Sequence, residues 1–371
     1  MHHDSSRWVL FAVVTLTLLG CAQSGPARPP AAGEEQRITQ ESEALVPKGP
    51  WPAGDQRGMA NTLGAGTLMR CGYYMNQPGA RVYELSHERS NTMPMSPFGK
   101  PLVVEYAPST SLPGTRHVFN GERLVGEPGQ QGTQMDALGH FAFYDRAWDG
   151  NGAPPLESAH YYGGLTQSDV KPTPDSPLLK LGIEQAPPIV TSAVLLDAKR
   201  SVGHGTSLQP GQLVTASDIR TMIDQQGLGW RGILPGDVVY IYTGWGDRWH
   251  DPDVEKVYYT KGPGLSIDAA EYLASRSIVL VALDNPFTDP VADGQLARQH
   301  APPQGMDQGL PFFVHHYNLA VAGIHQIQNA ALGELARDQV WTSCTIVLPL
   351  LERGGAGSAV RPVAVGVPRA R

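Results

Sequence analysis

The sequence is poor in charge and in cysteine, and both shortages narrow the kind of protein it encodes. Charged residues make up 17% of the 371 residues, and only 3 cysteines are present. So few cysteines exclude a small scaffold held together by disulfides. The 28 basic and 35 acidic residues give a net charge of −7, so no general attraction to nucleic acid or anionic lipid is expected. Nucleic acid is therefore not an expected partner.

Long apolar runs are scarce as well, and the most prominent one lies near the start of the chain. It covers 13 residues, 8–20, which is too short for a permanent membrane-spanning helix and typical of a signal-peptide core. The run ends in Leu-Leu-Gly-Cys21, which resembles a bacterial lipoprotein signal. We predict a signal peptide at 1–20, lipidation of Cys21 and export to the periplasm or cell envelope, with the lipid as the only membrane contact. An ordinary signal peptide with a coincidental cysteine is the alternative.

Segment 21–50 is rich in Pro, Ala, Gly, Glu and Gln and has little apolar periodicity, which predicts a flexible tether carrying the lipidated cysteine. The folded body is then predicted at 51–371. Hydrophobic residues reach 41%, enough for a sizeable core, while Gly 42 and Pro 32 favour many turns over a helical bundle. Of the body's two cysteines, Cys71 and Cys344, the sequence does not decide whether they pair or stay buried and free.

Apolar, β-branched runs separated by helix-like segments predict one α/β domain with a strong β component. Before residue 165 helix signals are poor, and only short extended stretches stand out. The predicted strands are 80–85, 102–106, 189–196, 238–242, 278–283 and 345–350. The predicted helices are 216–226, a second one capped by Ser266, and a third at 324–336.

Familiar catalytic motifs are missing: the chain has no G-x-S-x-G, G-x-x-x-x-G-K-[ST], C-x-x-C or H-E-x-x-H. Instead, segment 130–140 reads QQGTQMDALGH, with Asp136 and His140 in a stretch of low helix propensity. Such a pair places a carboxylate and an imidazole around one cavity, which suits general acid–base chemistry. The residues alone favour the alternative, a turn in which Asp136 accepts backbone N–H bonds and His140 is a partly buried structural residue.

The same stretch resembles the signature H-x-G-T-H-x-D-x-x-x-H of the cyclase family that includes bacterial kynurenine formamidase and isatin hydrolase. Here the matching residues are Gln130, Gly132, Thr133, Gln134, Asp136 and His140. Further similar segments follow in the family's order: 235–239 with 243–245, 262–266, 282–285, His316 with 323–324 and 328–329, and 357–362. The resemblance covers residues 55 to 365 and implies a single cyclase-like (swivelling β/β/α) domain with a mixed, β-rich core.

The resemblance also implies a site. In metal-using members divalent ions occupy the positions matching Gln130, Gln134, Asp136, His316 and Gln328, and the residue matching His140 moves the proton. Here three of those five positions are glutamine, and Asp136 is the one remaining carboxylate. Two dications are therefore not expected. One Zn²⁺, Mn²⁺ or Mg²⁺ on Asp136 and His316 is one expectation, and a metal-free network of the glutamine amides is the other.

The function implied is a hydrolase that opens a C–N bond (amide, N-formyl or cyclic imide) or a lactone in a small molecule, as an arylformamidase does. His140 is expected to shuttle the proton, with Asp136 and His316 completing the catalytic set. Met95, in a Met-Pro loop, is expected to face the substrate or to pack on the surface. A homo-oligomer is also implied. The alternatives are a non-catalytic binding lipoprotein, and a lyase or isomerase.

Overall fold

The computed structural model describes residues 32–369, and in this range nine strands form one mixed sheet. The strands of the chain are β1 (Arg81–Glu84), β2 (Val103–Tyr106), β3 (Thr110–Ser111), β4 (Val118–Phe119), β5 (Glu122–Val125), β6 (Gln134–Asp136), β7 (Ile189–Asp197), β8 (Leu213–Val214), β9 (Val238–Tyr242), β10 (Gly264–Leu265), β11 (Leu280–Leu283), β12 (His325–Gln328), β13 (Thr342–Val347), β14 (Gly357–Ala359) and β15 (Val363–Gly366). The large sheet has the order β1-β15-β13-β7-β9-β11-β12-β6-β14, and three small two-stranded sheets stand beside it.

The helices lie mainly between the central strands. They are α1 (Ala32–Glu43), α2 (Ala65–Met75), α3 (Gln167–Val170), α4 (Ala198–Ser201), α5 (Ala216–Gln225), α6 (Ile267–Ser275), α7 (Phe313–His316), which continues into a π-helical turn at Tyr317–Ala322, and α8 (Gly333–Arg337). Within residues 32–369 we find no helix that combines the length and the apolar character needed to cross a bilayer.

The centre of the sheet is parallel and apolar. Strands β7, β9, β11 and β12 pair in parallel, and β7, β9 and β11 are buried almost throughout. Near-continuous runs of Val, Ile and Leu suit strands that are covered on both faces. The strand predictions at 189–196 and 238–242 are confirmed, and the one at 278–283 is confirmed from Leu280 onward.

Helices α5 and α6 each begin after a residue whose side chain caps the amino-terminal end of the helix. Thr215 Oγ1 accepts from the Asp218 backbone N–H at 3.2 Å, and the Thr215 N–H donates to the Asp218 carboxylate at 2.8 Å, which is a capping box at the start of α5. Ser266 Oγ accepts from the Ala269 N–H at 3.3 Å before α6. The predicted helices at 216–226 and after Ser266 are confirmed.

The helix predicted at 324–336 is wrong in its first half. Residues His325–Gln328 form β12, which pairs with β11 on one side and β6 on the other, and only Gly333–Arg337 is helical. Asn329 then takes a left-handed conformation with φ of 58°, which ends the strand. Pairing on both edges outweighs the local helix propensity of this segment.

The predicted flexible tether is wrong for residues 32–50, because α1 packs on α2 there. Ser42 is fully buried and Val46 is 4% exposed, while Tyr74 of α2 donates a hydrogen bond to Glu35 at 2.9 Å. The folded body therefore begins well before Trp51. The predicted signal peptide and Cys21 lie outside the described residues and stay predictions.

A disulfide links Cys71 of α2 to Cys344 of β13. The sequence left this pairing open, and the structure supplies it by laying α2 across β13 in a small apolar cluster that includes Tyr73 and Tyr74. The bond thus ties helix α2 to strand β13, across a sequence separation of 273.

Replacing Cys71 and Cys344 together with alanine is expected to lower the free energy of unfolding by about 2–5 kcal/mol. The bond restricts the unfolded chain over a long loop, and that restriction is lost in the variant. Urea denaturation of both proteins measures the effect. Wild-type protein kept in reductant serves as the control and should match the variant, whereas unchanged stability of both would contradict this role of the bond.

Candidate active site

Two neighbouring strands supply most of the polar side chains of the site. In the antiparallel pair of β6 and β12, Gln134 lies opposite Gln328 and Asp136 lies opposite Gln326. Because side chains alternate along a strand, these four residues share one face of the sheet. The residue between them on each strand is apolar and fully buried in the core on the other face. These four side chains form a polar patch, and two of them, Gln134 and Asp136, belong to the sequence signature.

Amide groups in this patch hold the single carboxylate of Asp136. Gln326 Nε2 and Gln328 Nε2 both donate to Asp136 Oδ2, at 3.0 Å and 2.7 Å. Gln134 Nε2 donates to Gln130 Oε1 at 3.1 Å. A Cβ at Gly357 of β14 would lie 2.5 Å from Gln130 Nε2, so the glycine leaves room for this amide. The structure brings together Gln130, Gln134, Asp136 and Gln328 as the resemblance implies.

A buried histidine–aspartate pair completes the polar side of the patch. Asp289 accepts the backbone N–H of Val314 at 2.6 Å and that of His315 at 3.2 Å, and so caps the short helix α7. Its carboxylate also lies 2.5 Å from His315 Nδ1. A carboxylate partner fixes the proton on Nδ1. Nε2 is then left to face Asp136, whose Oδ2 lies 3.9 Å away, and Gln328, whose Nε2 lies 3.3 Å away.

The expectation that His316 belongs to the site is wrong in placement, because its neighbour His315 takes that position. The ring of His316 packs against Phe143 and Phe313, with centroids 5.1 Å and 4.8 Å away. The two histidines follow each other in helix α7, and the cap of this helix by Asp289 turns His315 toward the patch.

A cavity of about 350 Å³ opens over this patch. Its polar walls come from Gln130, Gln134, His140, His315 and Gln328, and its aromatic walls from Phe98, Phe141, Tyr259, Phe287 and Phe312. An apolar cavity with a few converging polar groups is the usual form of a small-molecule site. His140 thus lies on the cavity wall, as the resemblance implies. The aromatic walls carried no sequence signal, because they come from separate loops.

The expectation that Met95 faces this cavity is wrong. Met95 lines a neighbouring surface depression together with Met93 and Pro252, and only Tyr259 is shared by the two. Tyr259 therefore stands between them as a wall. The alternative left open by the sequence, a Met-Pro loop packed near the surface, describes this segment.

The two imidazoles in the cavity differ electrostatically. Burial lowers the pKa of His140, against the opposing charge of Asp136. Burial also acts to lower the pKa of His315, but the hydrogen bond to Asp289 and the charges of Asp289 and Asp136 outweigh it and raise that pKa. The cavity therefore contains one histidine that favours its neutral form and one whose charged form is stabilised by a carboxylate.

Segment 282–285, which is part of the family resemblance, stabilises the fold and does not line the cavity. Asp284, just after β11, accepts the backbone N–H groups of Thr243, Gly244 and Gly246 at 2.8, 2.9 and 3.1 Å. It therefore fixes the turn that follows β9. Burial raises the pKa of Asp284 to about 6.

The carboxylate and amide oxygens of the patch, taken as metal ligands, suit one hard divalent ion better than zinc. They do not suit two ions. Within residues 32–369 no cluster of three or more His, Cys, Asp or Glu side chains could hold a metal. Three buried oxygens of the patch itself have no hydrogen-bond partner within this range: Gln134 Oε1, Asp136 Oδ1 and Gln328 Oε1. Carboxylate and amide oxygens suit Mg²⁺ or Mn²⁺, whereas Zn²⁺ prefers imidazole and thiolate. One carboxylate cannot balance two dications.

Two residues of the site were missed from the sequence. Gln326 could have been found, because the alternation in Gln326-Ile327-Gln328 puts both glutamines on one face once the segment is read as a strand. Asp289 carried no signal, since its role depends on a helix that lies more than twenty residues further along the chain.

Comparisons with known proteins agree with the fold and identify the family. A family model described as "Putative cyclase" matches residues 83–290, more than half of the chain. A solved structure described as a novel cyclase superposes with a TM-score of 0.67 at 22% identity and covers 85% of this chain and 97% of that one. This superposition confirms the predicted single α/β, cyclase-like domain.

Two isatin hydrolase structures are also similar in fold. One, bound to the product analogue thioisatinate, has a TM-score of 0.53 and 18% identity and covers 78% of this chain and 94% of that one. Isatin hydrolase A from Labrenzia aggregata, bound to benzyl benzoate, has a TM-score of 0.52 and 17% identity, with coverage of 78% and 95%. No curated protein sequence matches. The family match over more than half of the chain establishes that this protein belongs to the cyclase family.

Proposed function

We propose that this protein is a hydrolase that opens a C–N or C–O bond next to a carbonyl in a small aromatic molecule. The observation that carries the proposal is the cavity itself, where His140 and His315 converge with the glutamines beside Asp136 under aromatic walls. Aromatic walls favour a planar ring, and the polar side lies where the reacting carbonyl would sit. Amides, N-formyl aryl amines, cyclic imides and lactones share this chemistry. The isatin hydrolases of similar fold support the choice of class.

In the proposed reaction a water oxygen bonds to the carbonyl carbon, and the carbon's bond to nitrogen or oxygen breaks. The water proton passes to an imidazole, and the leaving atom receives a proton. His140 is the proton shuttle, and His315 Nε2, oriented by Asp289, is the second group that can hold or give a proton. Asp136, held by two amide donors, orients the water.

Asp136, Gln134 and Gln328 are the residues that would hold a single hard divalent ion. When bound, such an ion polarises the carbonyl and lowers the pKa of a bound water. A site working through its own amides and imidazoles remains the alternative proposal. The two forms differ in metal content and share the residues that move protons.

The proposal is tested by incubating the purified protein with isatin, formanilide, phthalimide and dihydrocoumarin, with elemental analysis of the same preparation. The expected result is turnover of at least one compound to its ring-opened or deformylated product, with at most one divalent ion per chain. Tight binding of these compounds without turnover would instead indicate a binding protein and would contradict the proposal.

A further inference from the structure

We propose that the Tyr259 hydroxyl is a fixed hydrogen-bond donor to the carbonyl oxygen of the substrate, held in place by Asn329. The inference rests on the proposed function, since it assigns to that reaction a group that stabilises the oxygen as it becomes negative. Tyr259 lines the cavity together with His140, His315 and Gln328. It is 6% exposed, so its hydroxyl is not surrounded by solvent.

The side-chain amide of Asn329 has only one orientation that satisfies its neighbours. Its Nδ2 lies 2.7 Å from the carbonyl oxygen of Gly132, which can only accept a hydrogen bond. Nδ2 is therefore correctly placed there, and Oδ1 points the other way, 3.1 Å from the Tyr258 hydroxyl. Asn329 is itself fully buried, and its left-handed backbone is anchored by Thr133, whose hydroxyl donates to the Asn329 carbonyl at 2.6 Å.

This orientation decides the role of the Tyr259 hydroxyl. Asn329 Nδ2 donates its second hydrogen to Tyr259 Oη at 2.9 Å, so the phenol oxygen is the acceptor in that bond. The phenol's own hydrogen has no hydrogen-bond acceptor among residues 32–369. Burial raises the pKa of Tyr259, so the group keeps this hydrogen at neutral pH. Tyr259 lines both this cavity and the depression that contains Met95, and a substrate carbonyl in the cavity is the proposed acceptor of this hydrogen.

The neighbouring tyrosine shows the contrasting case. Tyr258 is 2% exposed, and its hydroxyl donates toward two protein acceptors, the Asp284 carbonyl at 2.9 Å and Asn329 Oδ1 at 3.1 Å. It does not line the cavity that contains His140. Both tyrosines therefore hydrogen-bond to Asn329. The Tyr258 hydroxyl donates its hydrogen to protein acceptors, whereas the Tyr259 hydroxyl accepts a hydrogen from Asn329. Tyr258→Phe is thus a matched control for Tyr259→Phe, since each variant removes one buried hydroxyl.

Tyr259→Phe is expected to lower kcat by about 10²–10³-fold, because a donor aimed at the developing oxyanion is lost. The affinity for isatin should weaken by only about 3- to 10-fold, the value of one ground-state hydrogen bond. Tyr258→Phe should leave kcat within about threefold of wild type. The assay uses the compound of the panel above that the wild type hydrolyses fastest, and isatin binding is measured separately by calorimetry. Thermal unfolding of both variants confirms that they are folded.

The outcomes separate this inference from the proposed function. If the wild type is active and the two phenylalanine variants have equal kcat, the role of Tyr259 is overturned and the hydrolase assignment stands. If no compound is hydrolysed, the proposed function fails, and isatin affinity alone tests the inference. Weaker binding only in Tyr259→Phe then supports the role of Tyr259 as a donor, and equal binding in both variants overturns it.

Should Tyr259→Phe not fold, 3-fluorotyrosine at position 259 keeps the shape of the side chain and makes its hydroxyl a stronger hydrogen-bond donor. It should raise kcat or isatin affinity there but not at position 258, and no change at 259 overturns the inference.

Discussion

His315→Gln is expected to lower kcat by about 10²–10⁴-fold, whereas His316→Gln should retain nearly full activity. The two histidines are adjacent in the sequence, but only His315 lines the cavity, with its ring fixed by Asp289. His140→Ala should cause a loss as large as that of His315→Gln, since an imidazole placed for proton transfer is removed in both. Steady-state kinetics on the best compound of the panel measures all three variants.

His316→Gln is the matched control, because it changes the same residue type one position further along the same helix. Equal losses in His315→Gln and His316→Gln would contradict the placement of the cavity histidine. Full activity of His140→Ala would contradict the proposed proton shuttle. Circular dichroism of each variant separates a chemical loss from a loss of fold.

Asp237→Ala is expected to lower the free energy of unfolding by about 3–5 kcal/mol, a large share of the roughly 5–15 kcal/mol typical of a folded domain. Asp237 is fully buried and holds the guanidinium of Arg231 through two hydrogen bonds of 2.7 Å and 2.9 Å. A second buried guanidinium, that of Arg70, lies 3.8 Å from the same carboxylate. The variant leaves both positive charges buried without their anion. Urea denaturation measures the loss.

Glu105→Ala provides the control for this prediction. Glu105 pairs with Arg123 at 3.1 Å, but the side chains are 52% and 73% exposed. An exposed ion pair contributes at most about 1 kcal/mol, so this variant should be close to wild type. If Asp237→Ala also lowered the free energy of unfolding by less than about 1 kcal/mol, the buried network of Asp237 and its two arginines would not be needed for stability.

The central strands could be predicted from the sequence because each is a short run of apolar, β-branched residues between turn signals. Strand β12 could not, because His325, Gln326 and Gln328 are polar and the segment becomes a strand only by pairing with β6 and β11. Helix α1 was missed for a related reason: its polar sequence is held by packing on α2. Local pattern therefore predicted the apolar strands β7, β9 and β11, and it failed where a polar segment takes its structure from pairing or packing.

The candidate site was predictable in part. From the residues alone, a structural turn is the favoured interpretation of Asp136 and His140. The resemblance to the cyclase family was needed to give these two residues a catalytic role and to add Gln130, Gln134 and Gln328. Antiparallel pairing of β6 and β12 explains why such distant residues meet. The choice between His315 and His316 depended on a four-residue helix and its cap, which the sequence pattern does not reveal.

Hydrolysis in water enriched in ¹⁸O, followed by mass spectrometry of the product, shows whether the new oxygen of the product comes from water. Wild-type protein is expected to transfer one solvent oxygen to the new carboxylate or formate. His315→Gln should give this product at a rate lower by about 10²–10⁴-fold. A product formed at the wild-type rate without solvent oxygen would contradict hydrolysis and would indicate a lyase or isomerase in the same cavity.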